Sequence, residues 1–188
     1  VLILSKMLGD NVDGNLTAKQ VEYARTVHSA GVDLLTLIND ILDVAKIEAG
    51  TMTVDVGEVR FIAVRDFCEQ TFNPVALQKK LEFVIHLDET LPPSMRTDGR
   101  RLQQILKNLL SNAFKFTERG NVRLEMYRAT EGWDHDNSRL SRANAVVAFA
   151  VIDTGIGIPK DKHQIIFEAF QQADGTTSRR FGGTGLGL

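Results

Sequence analysis

The stretch Asn108-Leu109-Leu110-Ser111-Asn112-Ala113-Phe114-Lys115-Phe116-Thr117 mixes polar and apolar residues with the period of a helix, not of a strand. Asn108, Asn112 and Lys115 are spaced by four and three, so on an α-helix they fall along one face. Working back from Asn108, the residues Leu102, Ile105, Leu106, Leu109 and Leu110 supply a buried face for a helix running from about Gly99 to Phe114, with Asp98 placed as its N-cap. Amide oxygens are hard ligands suited to Mg²⁺, which usually also keeps waters and phosphate oxygens. A lysine one turn on supplies a point charge for phosphate. An ordinary solvated helix face has the same composition, and this stretch alone leaves both readings open.

Downstream, Asn121–Arg128 alternates as a strand, and Ala145–Ile152 is a nearly continuous apolar run that reads as a central strand. Thr130–Arg142 between them is polar and reads as an exposed hairpin loop, with Trp133 and His135 in it. The apolar run ends in Val151-Ile152-Asp153-Thr154-Gly155-Ile156-Gly157-Ile158-Pro159. An acid at a strand end followed by two glycines makes a sharp loop over a pocket. Asp153 has the chemistry to accept from an exocyclic amine, and Gly155 and Gly157 let backbone approach a flat ring. A purely structural turn has the same composition. The last cluster, Gly182-Gly183-Thr184-Gly185-Leu186-Gly187-Leu188, offers either free N–H groups as an anion cradle or a flexible linker. It is not a Walker loop, since no Gly-Lys-Ser/Thr follows, nor a dinucleotide fingerprint, since the glycine spacing differs. The His-Arg-Asp and Val-Ala-Ile-Lys signatures of protein kinases are absent from the sequence.

Upstream of Asp98, Pro92-Pro93 is a turn or extended connector, Leu81–Leu87 alternates as a strand, and Phe61–Lys80 reads as a helix that Pro74 kinks or breaks. Met52–Val56 alternates like another strand. Before Gly50, placed as a left-handed residue past a helix end, lies one long helix from a Thr17 N-cap to about Glu48. At 1.5 Å per residue it would be roughly 45 Å long. Val27, Gly31, Leu34, Ile38, Ile41 and Ala45 recur along it in steps of four and three, flanked by Leu35 and Leu42. A stripe that wide suits a helix with two neighbours, and one helical hairpin cannot bury it, so two chains are expected to pair as a homodimeric four-helix bundle. Val1–Leu8 reads as the end of a preceding helix, stopped by Gly9-Asp10-Asn11. The expected class is α+β, with a helical hairpin over residues 1–49 and a mixed domain over 50–188.

Composition narrows the function. The 188 residues carry 22 basic and 24 acidic side chains, a net charge of −2, without the basic excess of a nucleic-acid binder. An apolar share of 43% is enough for a real core. Cys68 is the single cysteine, which excludes an internal disulfide or a cysteine metal cluster. No run approaches the roughly 20 apolar residues that would span a bilayer, so no membrane contact by this chain and a reducing, cytoplasmic setting are expected.

The clusters in this order resemble the motifs of sensor histidine kinases. Asn108–Thr117 is similar to their N-box, Asp153–Gly157 to their first glycine box, Phe167–Phe170 to their F-box and Gly182–Leu188 to their second glycine box. The helix ending Asn39-Asp40-Ile41-Leu42-Asp43 through Lys46-Ile47-Glu48 resembles the second helix of their dimerisation and phosphotransfer hairpin, in the style of hybrid kinases that carry receiver domains elsewhere. The resemblance implies a Bergerat-type α/β sandwich with ATP and Mg²⁺ between sheet and helices. Asn112 would ligate Mg²⁺, with Asn108 nearby and Lys115 on the phosphates. Phe116 would lie against the nucleoside, and Asp153 would accept from the adenine amino group on a wall shaped by Gly155 and Gly157. Phe167 and Phe170 would anchor a lid bringing Gly182, Gly183, Thr184, Gly185 and Gly187 to the phosphates. The γ-phosphoryl would pass to a histidine and then to an aspartate of a response-regulator receiver, in the same chain or another.

The family's acceptor sits in a His-acid-x-x-Thr/Asn-Pro motif, which His28, His86, His135 and His163 all lack. Val1 in mid-helix and Leu188 in a glycine cluster read as interior points of a longer protein. The acceptor is expected upstream of Val1, and the elements closing the pocket beyond Leu188. This chain alone is therefore expected not to phosphorylate itself and to bind nucleotide weakly or not at all. The alternatives are a non-catalytic dimerisation and nucleotide-sensing module, a degenerate kinase, or a Bergerat ATPase of the chaperone, topoisomerase or mismatch-repair type, the last disfavoured by the long hairpin and the F-box.

Overall fold

Thr17 opens the long helix with a reciprocal capping box. Its Oγ1 accepts from the Gln20 N–H at 3.3 Å, while Gln20 Oε1 accepts from the Thr17 N–H at 2.8 Å. In the computed structural model, which describes residues 1–134 and 136–163, this helix α2 runs Ala18–Glu48. It pairs with a shorter helix α1, Leu2–Asp10. The turn between them is held by Asn11, left-handed at φ 45, whose side-chain amide accepts from the Leu16 N–H at 3.1 Å and donates to the Leu16 carbonyl at 3.3 Å. Across the hairpin, Arg25 Nε donates to the Gly9 carbonyl at 3.2 Å, and His28 Nδ1 lies 3.0 Å from the Leu2 carbonyl oxygen. The apolar stripe of α2 is not covered by α1: Leu34, Ile38, Ile41 and Leu42 are 57, 45, 44 and 51% exposed.

The chain folds as two compact units, Val1–Thr53 and Val54–Leu188. In the second, β1 (Gly57–Arg60) pairs antiparallel with β3 (Ser94–Thr97), in register Gly57 to Thr97. A second sheet has the order β2-β4-β5, with β2 (Glu82–Leu87) parallel to β4 (Asn121–Ala129) and β5 (Val146–Asp153) antiparallel to it. Helices α3 (Phe61–Lys79) and α4 (Gly99–Phe116) supply the core with the sheet. Phe61, Val64, Cys68 and Phe72 from α3 meet Leu106, Leu110, Ala113 and Phe114 from α4 and Val122, Leu124 and Met126 from β4. The Phe114 ring stacks on Phe72 with centroids 5.4 Å apart and meets Phe83 edge-on at 5.3 Å. A short helix α5 (Ser138–Ser141), capped by Asn137, interrupts the connection between β4 and β5.

Several expectations need correction. Met52–Val56 is not a strand; pairing starts at Gly57, where the chain reaches β3, and β3 itself is too short and polar (Ser-Met-Arg-Thr) to show a period. Pro74 sits within α3, which continues past it to Lys79, so of the two expected accommodations the break does not occur. α4 extends two residues past Phe114. Ile105 is 56% exposed, not buried, because the buried arc centres on Leu106, Leu110 and Ala113 and each residue turns about 100°. Among the described residues β4, not β5, is the middle strand, and β5 is only half-buried along its apolar length.

Candidate nucleotide site

The site is built around the C-terminal half of α4. Asp98 starts that helix, its Oδ1 accepting from the N–H groups of Arg100 and Arg101 at 3.0 and 3.1 Å. Leu106, Leu110, Ala113 and Phe114 turn into the core, which leaves Asn108, Asn112 and Lys115 half-buried on another arc of the helix. Phe116 is the last helical residue and is half-buried too. Thr117 then turns extended at φ −100, its N–H closing the final turn on the Ala113 carbonyl at 3.1 Å. Lys79, at the end of α3, donates from Nζ to the Phe114 carbonyl at 2.6 Å and so caps the C-terminal end of α4.

The strand-end loop is fastened against that helix end. Asp153 is the last residue of β5 and is exposed; its Oδ1 accepts from the Gly155 N–H at 2.8 Å, which orients the carboxylate. Its Oδ2 takes no hydrogen bond among the described residues. Thr154 pins the loop to the start of β4: its N–H donates to the Asn121 carbonyl at 3.2 Å and its Oγ1 accepts from the Asn121 N–H at 3.0 Å. Gly155 is pressed so close to α4 that a Cβ there would lie 2.5 Å from the Phe116 carbonyl oxygen and 2.8 Å from Asp153 Oδ1. Only glycine fits without a backbone shift. Gly157 adopts φ 68, in the left-handed region.

Phe116, Asp153 and Gly155 are thus brought together, although some 37 positions separate the first two in sequence. Lys115 Nζ stands 5.2 Å from the centroid of the Phe116 ring, and burial pushes the lysine pKa below its ordinary value. A phosphate nearby would favour the charged form and offset that cost. Phe167, Phe170, Gly182, Gly183, Thr184, Gly185 and Gly187 lie outside the described residues, as does His135. Of the other histidines, His86 is exposed on β2 and His163 Nε2 sits 3.0 Å from the Ile158 carbonyl, while His28 belongs to the hairpin contact above.

Sequence reasoning passed over three residues that shape this place. Lys79 and Thr154 act through backbone partners that no periodicity marks. Thr117 is wholly buried, and its hydroxyl has no hydrogen-bond partner among the described residues. Its position directly after a helix end was the signal available. A buried orphan hydroxyl, a glycine cradle against a backbone carbonyl and an uncommitted carboxylate oxygen suit a flat polar ligand such as a purine. Among the described residues no three His, Cys, Asp or Glu side chains converge on a metal, so a divalent ion here would need oxygens from its ligand as well as an amide. No described helix is long and apolar enough to cross a membrane.

Comparison with known proteins identifies relatives of this chain. Residues 97–188 match the family described as histidine kinase-, DNA gyrase B-, and HSP90-like ATPase. The chain is 43% identical over 180 residues to the circadian input-output histidine kinase CikA of Synechococcus elongatus, covering 93% of this chain and 22% of that protein. It is 37% identical over 174 residues to hybrid signal transduction histidine kinase K of Dictyostelium discoideum, covering 93% and 14% respectively. The crystal structure of full-length ShkA in complex with AMPPNP aligns at a TM-score of 0.71 and 32% identity, covering 100% of this chain and 35% of that one. Residues 97–188 are a domain of this ATPase family. Within that family, the similarity over nearly the chain's whole length is to the sensor histidine kinases, of which the chain spans about a fifth or less.

Proposed function

We propose that this chain is the dimerising and ATP-binding part of a protein-histidine kinase of two-component signalling. Its substrate is ATP, held between the outer arc of α4 and the loop after β5. The observation that carries this reading is the close approach of Gly155 to the Phe116 carbonyl, which sets the Asp153 carboxylate beside the end of the amide-bearing helix. The ShkA structure, 32% identical, was solved with AMPPNP, a nucleotide of the same shape.

In this reading Asp153 accepts from the adenine amino group through Oδ2, with Oδ1 kept in place by the Gly155 N–H. Gly155 and Gly157 form the wall over which the base lies, and Phe116 flanks the nucleoside. Asn112 ligates Mg²⁺ with Asn108 adjacent, and Lys115 meets the phosphates. When bound, Mg²⁺ neutralises and orients phosphate oxygens for in-line transfer. Phe167 and Phe170, with Gly182, Gly183, Thr184, Gly185 and Gly187, complete the phosphate side. What these residues contribute is positioning and charge, since phosphoryl transfer asks little covalent chemistry of the protein. The acceptor is a histidine other than the four in this chain, and a receiver aspartate takes the phosphoryl group from it. Residues 1–49 form the dimerisation hairpin through the exposed α2 stripe, and residues 50–188 the catalytic domain. Use of ATP places the chain on the cytoplasmic side.

Calorimetric titration with Mg-ATP tests the pocket. Asp153→Asn and Asn112→Asp are each expected to weaken binding at least tenfold, about 1.4 kcal/mol, against the unsubstituted protein. Unchanged affinity in both would overturn the assignment.

A further inference from the structure

The chain passes from α2 to the second unit through a connector fastened at both ends. At the helix end, the N–H groups of Ala49, Gly50 and Thr51 donate to the carbonyls of Ala45, Ile47 and Lys46, each at 3.0 Å, with Gly50 left-handed at φ 63. At the other end, the Asp55 N–H donates to Asp98 Oδ2 at 3.0 Å. Beyond it the chain zips into β1, where Gly57 faces Thr97, the residue before Asp98. Met52, Thr53 and Val54 between the two fastenings make no hydrogen bond among the described residues.

Asp98 divides its two carboxylate oxygens between two tasks. Oδ1 serves the first turn of α4 through Arg100 and Arg101, and Oδ2 serves the connector through Asp55. A cap alone needs one acceptor, and serine, threonine or asparagine provides it. Only a carboxylate offers a second acceptor with no donor of its own. The group is 8% exposed, where an ionised carboxylate is tolerated because three N–H groups surround it. The link is short and stiff: two backbone segments share one side chain, with β1 and β3 locked directly behind it.

We propose that Asp98 is a positioning residue that ties the connector leaving the helical hairpin to the N-terminal end of α4, so that displacement of the connector is delivered to the helix bearing Asn108, Asn112 and Lys115. The clamp stands on its own geometry; its consequence for nucleotide rests on the function proposed above. Displacement of Asp55 reaches the first turn of α4 through Asp98, and ordering of α4 by a ligand tightens the connector in return, as linkage requires.

Amide hydrogen exchange on the 188-residue chain, with Asp98→Asn and Asp98→Ser, tests this. Both substitutes retain an N-cap acceptor; asparagine has one oxygen for two tasks, and serine is too short to reach Asp55. The Asp55 amide is expected to exchange at least tenfold faster in both, while the Leu102 amide, which closes the first turn on the Asp98 carbonyl at 3.0 Å, changes less than threefold. Saturating Mg-ATP is expected to slow Asp55 exchange in the unsubstituted chain and not in the variants, whose nucleotide affinity stays within threefold. Unaltered Asp55 exchange in both variants, or nucleotide-induced slowing that persists in them, would overturn the clamp. Should serine unfold the chain, the isosteric asparagine variant decides. Absence of nucleotide binding to the unsubstituted chain is compatible with a pocket that lacks its closing elements, and the ligand-free comparison then judges the clamp.

Discussion

Gly155 has nowhere to put a side chain. A Cβ there would sit 2.5 Å from the Phe116 carbonyl oxygen, backbone that cannot swing aside as a flexible side chain could. Gly155→Ala should therefore push the loop off the end of α4, costing about 1–3 kcal/mol as overpacking does. Thermal unfolding would show a lowered midpoint, together with weaker nucleotide binding because Asp153 loses the N–H that orients it. An unchanged melting temperature would mean that the close approach is not maintained in solution. Asp153, Gly155 and Gly157 were legible from sequence because an acid and two glycines at the end of an apolar run announce a sharp loop. Thr117 was not, since a buried hydroxyl looks like any other threonine until its surroundings are known. Lys79 was not, because its partner is a backbone carbonyl 35 positions away.

Elements with strong local signals are legible in the sequence, and those that depend on a distant partner are not. α2 carries its own cap, its own period and a left-handed glycine beyond its end, so Thr17, Glu48 and Gly50 fall where local chemistry places them. α4 carries Asp98 and a leucine ridge. β3 has no period of its own; it exists because Gly57–Arg60 lies beside it, and that pairing also moves the strand expected at Met52–Val56 downstream. Ile105 misleads because a leucine-rich helix looks apolar on more sides than the core can use. Asp98 makes a prediction at this scale. Hydrogen bonds from the Arg101 N–H, and next from the Asp55 N–H, hold its carboxyl below the ordinary carboxylate range. A group with a depressed folded pKa stabilises fully above its unfolded value, near 4, and that contribution is lost as pH falls through the folded value. Urea unfolding at stepped pH should show stability declining below about pH 4, and Asp98→Asn should flatten that acid limb. An identical pH profile in the variant would rule out this source.

At the scale of the whole molecule, an uncovered apolar stripe is joined to a unit with its own core. Leu34, Ile38, Ile41 and Leu42 are about half exposed in the single chain, more apolar surface than a solvated helix leaves open. Equilibrium sedimentation is expected to find a dimer, and Ile38→Glu, which sets a charge in the seam, to shift it to monomer by at least tenfold in dissociation constant. A monomeric unsubstituted chain would sever the hairpin reading while leaving the ATP site untouched. That site is tested most directly by nuclear magnetic resonance titration of the labelled chain with Mg-ATP. The amide signals of Asn112, Lys115, Phe116, Thr117 and Gly155 are expected to shift together along one isotherm, while those of Glu89 and Thr90, in the turn after β2, stay still. Nucleotide-induced shifts confined to other residues would contradict ATP binding at this site.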